Sequence, residues 1–147
     1  MSDADQPLLA ALAAYQAAVL AKDVDAFVSI YANDAQIFEL WGTWVHDIAS
    51  WREMATGWFA FLGDQRSIVE AHGVRTQVSG DMAMLTASLT YRAVDVAGQE
   101  LRSLDNRLSW VLRQRGGRWQ VVHEHTSVPL AHEDGKGIFK RPATATP

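Results

Sequence analysis

The chain has 147 residues, of which 48% are hydrophobic and 20% are charged, so we expect one domain with a sizeable core. The formal net charge of −4 argues against a nucleic-acid partner, because phosphate binding requires a basic surface. The absence of cysteine excludes disulfides, thiolate metal sites and a cysteine nucleophile.

An apolar run near the start of the chain is not interpreted as a signal peptide. It extends from Leu8 to Leu20, and the residues before it include Asp3 and Asp5 but no lysine or arginine. No segment of the sequence is long enough to predict a membrane span. We therefore expect a cytoplasmic protein with no membrane partner.

The first third of the chain predicts two helices and a strand. Apolar residues recur at helical spacing from Leu8, just after Pro7, to about Ala21. Asp23 is a suitable N-cap for a short second helix. The segment 32–34 predicts a turn, and 35–41 predicts a first strand.

A loop rich in aromatic residues separates this strand from a third helix. Trp41, Trp44 and His46 lie in the loop. Asp47 is a candidate N-cap for the third helix and Gly63 is a candidate C-cap. Because the two tryptophans belong to a loop, we expect them to gate a binding site.

The chain becomes rich in β-branched and aromatic residues from Gln65 onward. Short turns separate four long segments, which predict an antiparallel meander over 66–78, 81–95, 99–114 and 118–128. Helices followed by such strands predict an α+β fold, with a strongly curved antiparallel sheet wrapped as a cone around about three N-terminal helices. We expect a single domain over 1–130 and a flexible tail over 131–147.

The last predicted strand has two faces of different chemistry. Strict alternation from residue 118 places one set of side chains on the same face, namely Trp119, Val121, His123, His125 and Ser127. The opposite face then holds Gln120, Val122, Glu124 and Thr126. Two imidazoles and a hydroxyl in a row predict the polar lining of a pocket.

His123 is the first catalytic candidate, because a neutral imidazole transfers protons near pH 7. The alternative is that one of the two histidines only hydrogen-bonds across the sheet. Arg107 and Ser109 share a face of the preceding strand, and an arginine beside imidazoles suits a carboxylate or an enolate. The alternative for Arg107 is a salt bridge on a solvated face.

Glu39 is the third catalytic candidate, because it lies in an otherwise apolar stretch where burial would raise its pKa. The alternative is an edge residue that reaches solvent. Aromatic residues from the helices and the loop are expected to line the ligand site or its core, namely Tyr15, Tyr31, Trp41, Trp44, Trp51 and Trp58. His123 and His125 have ligand spacing, but no third ligand is visible, so no metal is predicted.

Several segments resemble a known superfamily: 22–27, 31–35, 80–83, 107–112, 117–119 and 123–129. Over residues 8 to 129 the chain resembles the nuclear transport factor 2-like superfamily, in particular its SnoaL-like and ketosteroid-isomerase-like proteins. It also resembles the association domain of calcium/calmodulin-dependent protein kinase II. The resemblance implies about six strands, three helices, a conical cavity and a homodimer.

The resemblance also implies a function. It predicts a small-molecule ligand or substrate, and an isomerase or polyketide-cyclase-like lyase that works without a cofactor on a hydrophobic carbonyl compound. A non-catalytic ligand-binding protein and a homo-oligomerisation module are the alternatives. Ketosteroid isomerases use a pocket tyrosine and two carboxyls, whereas the ending 123–127 of this chain departs from their usual sequence.

Overall fold

The computed structural model describes residues 2–143. A short 3-10 turn, Asp3–Asp5, precedes the helices. The helices are α1 (Gln6–Ala21), α2 (Val24–Ser29) and α3 (Ile48–Leu62). The strands are β1 (Tyr31–Phe38), β2 (Arg66–Ser79), β3 (Met82–Val94), β4 (Glu100–Arg115) and β5 (Arg118–Ser127).

Side chains cap the second and third helices where the sequence predicts them. The Asp23 carboxylate accepts a hydrogen bond from the amide of Ala26 at 3.0 Å. Asp47 accepts one from the amide of Ser50 at 2.9 Å. Gly63 ends α3 with a φ of 57°, a left-handed value that glycine adopts without strain. The predicted helix boundaries near these residues are confirmed.

The five described strands form one sheet in the order β1-β5-β4-β3-β2. Strand β1 is parallel to β5, and the other pairs are antiparallel. The α+β prediction is confirmed, with five strands among residues 2–143 instead of about six. The predicted turn at 32–34 is wrong, because these residues continue β1. They lie in an irregular stretch of the strand, between the pairs that Tyr31 and Gln36 form with β5.

The core lies between the helices and the concave face of the sheet. The sheet contributes Leu85, Leu89, Trp110 and Leu112, each with 0% exposure. Phe27 of α2 lies at the centre of the helical side, with ring centroids 5.4 Å from Tyr15 and 5.8 Å from Trp51. Burial of each such side chain contributes about 1.5 to 3 kcal/mol. None of the helices within residues 2–143 is both long and apolar enough to cross a membrane.

The segment after β5 returns to the sheet. The Ile138 amide donates to the Pro129 carbonyl at 2.8 Å, and the Asp105 amide donates to the Phe139 carbonyl at 2.7 Å. The Arg141 amide donates to the Asp105 carboxylate at 2.6 Å. The flexibility expected of 131–147 stays a prediction, and 144–147 lie outside the described residues.

Candidate active site

A bulge in β5 decides which side chains face the concave side of the sheet. His123 pairs with Val111 of β4, but the next pair joins Leu112 to Val121, so Val122 is an extra residue without a partner in β4. One extra residue reverses the alternation beyond it. The concave face therefore continues from Val121 to Glu124 and Thr126, and not to His123.

A cavity of about 730 Å³ lies between α3, the loop after β1 and the concave face of the sheet. Aromatic side chains form much of its wall, namely Tyr15, Trp41, Trp51, Trp58 and Tyr91. Polar groups lie among them, including Glu39, His46, Asn106, Glu124 and Thr126. An aromatic wall with few polar groups is typical of a small-molecule site.

Glu124 is the most deeply buried carboxyl of this cavity, with 2% exposure. Its Oε1 accepts one hydrogen bond from the Tyr31 hydroxyl at 2.5 Å and another from the Trp110 indole at 2.8 Å. Burial raises the pKa of the Glu124 carboxyl, although both hydrogen bonds act to lower it. Since Oε1 accepts both bonds, a proton on the neutral acid belongs on Oε2.

Glu39 forms a carboxyl–imidazole pair with His46 in the same cavity. Glu39 Oε2 lies 3.2 Å from His46 Nε2, and the two side chains are 14% and 8% exposed. Burial, with a smaller effect of the Glu124 charge, raises the pKa of Glu39 to about 7. Burial lowers the pKa of His46, and the Asp47 charge opposes this shift. The pair thus holds a proton that is exchangeable near neutral pH.

Ser50 lies on the far side of the imidazole, with its hydroxyl 3.0 Å from His46 Nδ1. A hydroxyl can donate or accept a hydrogen bond. It can therefore partner either neutral tautomer of His46, so the imidazole can follow the gain or loss of a proton by Glu39. Ser50 also accepts a hydrogen bond from the Asp47 amide at 3.1 Å, which fixes it at the start of α3.

Two tyrosine hydroxyls form a second polar pair. Tyr15 and Tyr91 are joined by a hydrogen bond of 2.7 Å between their hydroxyl oxygens. Burial raises the pKa of both phenols, so they stay protonated at neutral pH. Because only one of the two protons is used within the pair, the other is available to an oxygen atom of a ligand.

Two further polar atoms of the cavity residues have no hydrogen-bond partner among residues 2–143. They are Nε1 of Trp51 and Oδ1 of Asn106, and both are buried. Buried polar atoms in folded proteins nearly always have a partner. Both atoms are covered by neighbouring groups, so they do not face the open volume of the cavity.

The outer face of the sheet holds most of the polar residues that strict alternation assigns to the pocket. His123 Nδ1 lies 2.9 Å from the Gln36 carbonyl oxygen, and Arg107 Nε donates to the Ser127 hydroxyl at 3.1 Å. Neither these residues nor Ser109 or His125 line the 730 Å³ cavity. The prediction that the β5 histidines face the cavity is wrong, because the bulge at Val122 turns them outward.

The predicted aromatic ligand residues divide between the cavity, the core and the surface. Tyr15, Trp41 and Trp58 line the cavity, whereas Tyr31 lies in the core beside Glu124. Trp44 is 93% exposed and borders a separate depression of about 390 Å³ together with His125. Trp41 stacks on Phe139 with ring centroids 5.3 Å apart and planes at 6°. The predicted gating role of Trp41 and Trp44 stays a prediction.

No group of three or more His, Cys, Asp or Glu side chains within residues 2–143 is arranged to hold a metal ion. The residues of the cavity instead form pairs: Glu39 with His46, Tyr15 with Tyr91, and Glu124 with its two donors. Such pairs can transfer a proton and stabilise a developing negative charge.

A family model of the SnoaL-like domain matches residues 8–131, which is most of the chain. The chain belongs to the SnoaL-like domain family. The predicted membership of the nuclear transport factor 2-like superfamily is thereby confirmed. No curated protein is significantly similar to the chain.

Solved structures with the same fold agree with this assignment. An NTF2-like protein of unknown function from Pseudomonas putida KT2440 has 21% identity and a TM-score of 0.81, over 94% of this chain and 95% of that chain. A proposed calcium/calmodulin dependent protein kinase II association domain from Xanthomonas campestris has 19% identity and a TM-score of 0.65, over 86% and 88%. An uncharacterised protein with a cystatin-like fold from Caulobacter vibrioides has 17% identity and a TM-score of 0.68, over 85% and 89%.

Sequence reasoning finds Glu39 in this SnoaL-like cavity but misses Glu124, Tyr91 and Asn106. The signal for Glu124 lies in β4, where Leu108, Trp110 and Leu112 are the apolar set that faces the core. Trp110 pairs directly with Glu124 across the last hairpin. The apolar face of β4 therefore predicts the buried face of β5 better than the composition of β5 does.

Proposed function

We propose that this SnoaL-like protein is a cofactor-independent isomerase or cyclase that acts on a hydrophobic carbonyl compound, with Glu39 as the acid/base. One observation carries the proposal: a partly buried carboxyl on the cavity wall, 3.2 Å from a buried imidazole, has a pKa raised to about 7. A group with this pKa accepts and returns protons efficiently at neutral pH.

In the proposed reaction, the Glu39 carboxylate removes a proton from the carbon next to the substrate carbonyl. The electron pair of the broken C–H bond moves to the carbonyl oxygen and forms an enolate. The enolate oxygen accepts a hydrogen bond from the Tyr15–Tyr91 pair. In an isomerase, Glu39 returns the proton at another carbon. In a cyclase, the enolate carbon attacks a second carbonyl of the same molecule, and the proton goes to the new alkoxide.

The second candidate function is ligand binding without turnover. The aromatic wall of the cavity and the Tyr15–Tyr91 hydroxyls support the binding of a ligand whether or not it reacts. Roles of His123 and Arg107 in catalysis stay predictions, as do those of Ser109, His125 and Ser127 in ligand binding. The homodimer and the cytoplasmic location also stay predictions.

Exchange of the α-protons of 2-tetralone in D₂O, followed by proton NMR, tests the proposed function. We expect the protein to accelerate exchange, and Glu39→Gln to slow it by about 100-fold or more, because the amide cannot accept the proton. Glu70→Gln is the matched control, since Glu70 pairs with Arg92 at 3.2 Å and lies outside the cavity. Thermal stabilisation by 2-tetralone reports binding separately. Binding without faster exchange, or full exchange in Glu39→Gln, would contradict the acid/base role.

A further inference from the structure

Arg102 is a positively charged side chain on the wall of the cavity. It lies near the start of β4, two residues before Leu104, which pairs with Tyr91 of β3. Successive side chains on one face of a strand are about 6.6 Å apart. Arg102 therefore lies one such step along β4 from Leu104, the strand partner of Tyr91. The Tyr91 hydroxyl belongs to the proposed enolate-binding pair.

Two neighbours position the guanidinium of Arg102. Its Nη1 donates to the Gln65 side-chain oxygen at 3.0 Å, and its Cζ lies 5.6 Å from the centroid of the Phe61 ring. Phe61 is 76% exposed on α3, so its contact with the cation occurs at the protein surface. An amide and an aromatic ring orient the guanidinium without neutralising its charge.

Arg102 lines the cavity and, like most arginines of residues 2–143, it forms no ion pair with an acidic side chain. Arg52, Arg92 and Arg115 each form an ion pair with an aspartate or a glutamate. No carboxylate within residues 2–143 forms an ion pair with Arg102, and this includes Glu53, which also lines the cavity. Its donors thus remain available to an anion.

The strand register provides a second polar group opposite Arg102. Ala93 of β3 pairs with Arg102 on one side and with Ser67 of β2 on the other. All three residues line the cavity, and Ser67 is 3% exposed. Arg102 and Ser67 thus flank the buried Ala93 on the cavity wall. A carboxylate is the ligand group that suits an arginine with free donors, because guanidinium and carboxylate form two parallel hydrogen bonds.

We propose that Arg102 and Ser67 bind a carboxylate, so that the substrate is a hydrophobic carbonyl compound that also carries a carboxylate. This inference rests on the proposed function of the cavity and specifies its substrate class. Because Arg102 and the strand partner of Tyr91 are two residues apart on one face of β4, we expect the ketone to lie a few bonds from the acid, as in a 4-oxo acid. Burial raises the pKa of Glu39 to about 7, and its protonated fraction near neutral pH reduces repulsion of the anion.

A pair of matched ligands tests the inference: 4-oxo-4-(2-naphthyl)butanoate and its methyl ester. Affinities are measured by calorimetric titration at neutral pH with the intact protein. We expect the acid to bind at least 10-fold more tightly than the ester. In Arg102→Met, the affinity for the acid should fall by about 10-fold to that of the ester, whereas the affinity for the ester should not change. Arg75→Met, at an exposed position of β2 outside the cavity, is the matched control and should retain the preference.

Equal affinities in the wild type, including a failure of both compounds to bind, would overturn the inference. Retention of the acid preference in Arg102→Met would also overturn it. α-Proton exchange of both compounds is measured in the same samples and reports the acid/base chemistry separately. An acid preference that depends on Arg102 but is not accompanied by exchange would refute the proposed function and retain the carboxylate site. Proton exchange without the acid preference would retain the proposed function and refute the carboxylate site.

Discussion

The two faces of β5 carry similar numbers of polar side chains but differ in how strongly the protein perturbs them. On the concave face, Glu124 is 2% exposed and receives two hydrogen bonds from buried donors. On the outer face, His125 is exposed, and His123 contacts the Gln36 backbone carbonyl and, edge to face, the Phe38 ring. The pKa values of the two cavity carboxyls, Glu124 of β5 and Glu39 after β1, are raised because burial excludes water from them.

Residue type alone does not identify the side of the sheet that carries the candidate acid/base group. Histidine is the usual residue for proton transfer at neutral pH, and two histidines favour the outer face. Burial gives Glu39 a pKa of about 7, a value at which it can do the same chemistry. Position relative to solvent therefore decides between the candidates.

Deletion of Val122 should abolish the difference between the two faces of β5 and have the largest effect on stability. Without the extra residue, strict alternation would turn side chains away from the concave face: either Val121, or both Glu124 and Thr126. We expect a loss of more than about 5 kcal/mol, seen as loss of the cooperative thermal transition by circular dichroism. Val122→Ala is the control and should cost about 1 kcal/mol or less, and a stable deletion variant would contradict the bulge.

Substitutions of neighbouring residues on opposite faces of β5 should differ in their cost to stability. Glu124→Ala removes the acceptor of Tyr31 and Trp110 and leaves two buried donors unpaired. We expect a loss of about 2 to 5 kcal/mol in urea denaturation. His125→Ala, next to it on the exposed face, should change stability by less than about 0.5 kcal/mol. Equal costs would mean that Glu124 is not the buried acceptor described above.

The smallest expected effect is the contribution of Glu39 to the pH dependence of stability. The folded-state pKa of about 7 lies above the ordinary value of 4.5, so the folded state binds the proton more tightly than the unfolded chain. Stability should therefore fall as pH rises from about 4.5 to about 7, by up to about 3 kcal/mol from this residue. Denaturation of Glu39→Gln should show a shallower decline, and an unchanged slope would argue against a desolvated Glu39.

Much of the fold could be predicted from the sequence because its signals are local. Asp23, Asp47 and Gly63 mark helix ends through their own side-chain or backbone chemistry. The short glycine turns likewise mark the ends of β2 to β5. The segment 32–34 was not predictable in this way, because it is held in β1 by long-range pairs with β5 on either side of it, at Tyr31 and Gln36.

The candidate site was predictable only where burial depends on local composition. Glu39 follows apolar residues, so its desolvation could be inferred from its neighbours. The orientation of Glu124 depends on a single extra residue, and no composition signal marks Val122 as a bulge. Tyr91 and Arg102 belong to the site because of strand register, which joins residues far apart in sequence.

Direct titration of the Glu39 carboxyl by carbon-13 NMR tests the central claim that the cavity face carries the acid/base group. Glu39→Gln identifies the resonance, and Glu70 provides an exposed reference carboxyl in the same spectra. We predict a midpoint near pH 7 for Glu39, because burial disfavours its ionised form. A midpoint near 4.5 would show an ordinary, solvated carboxylate and would contradict the account.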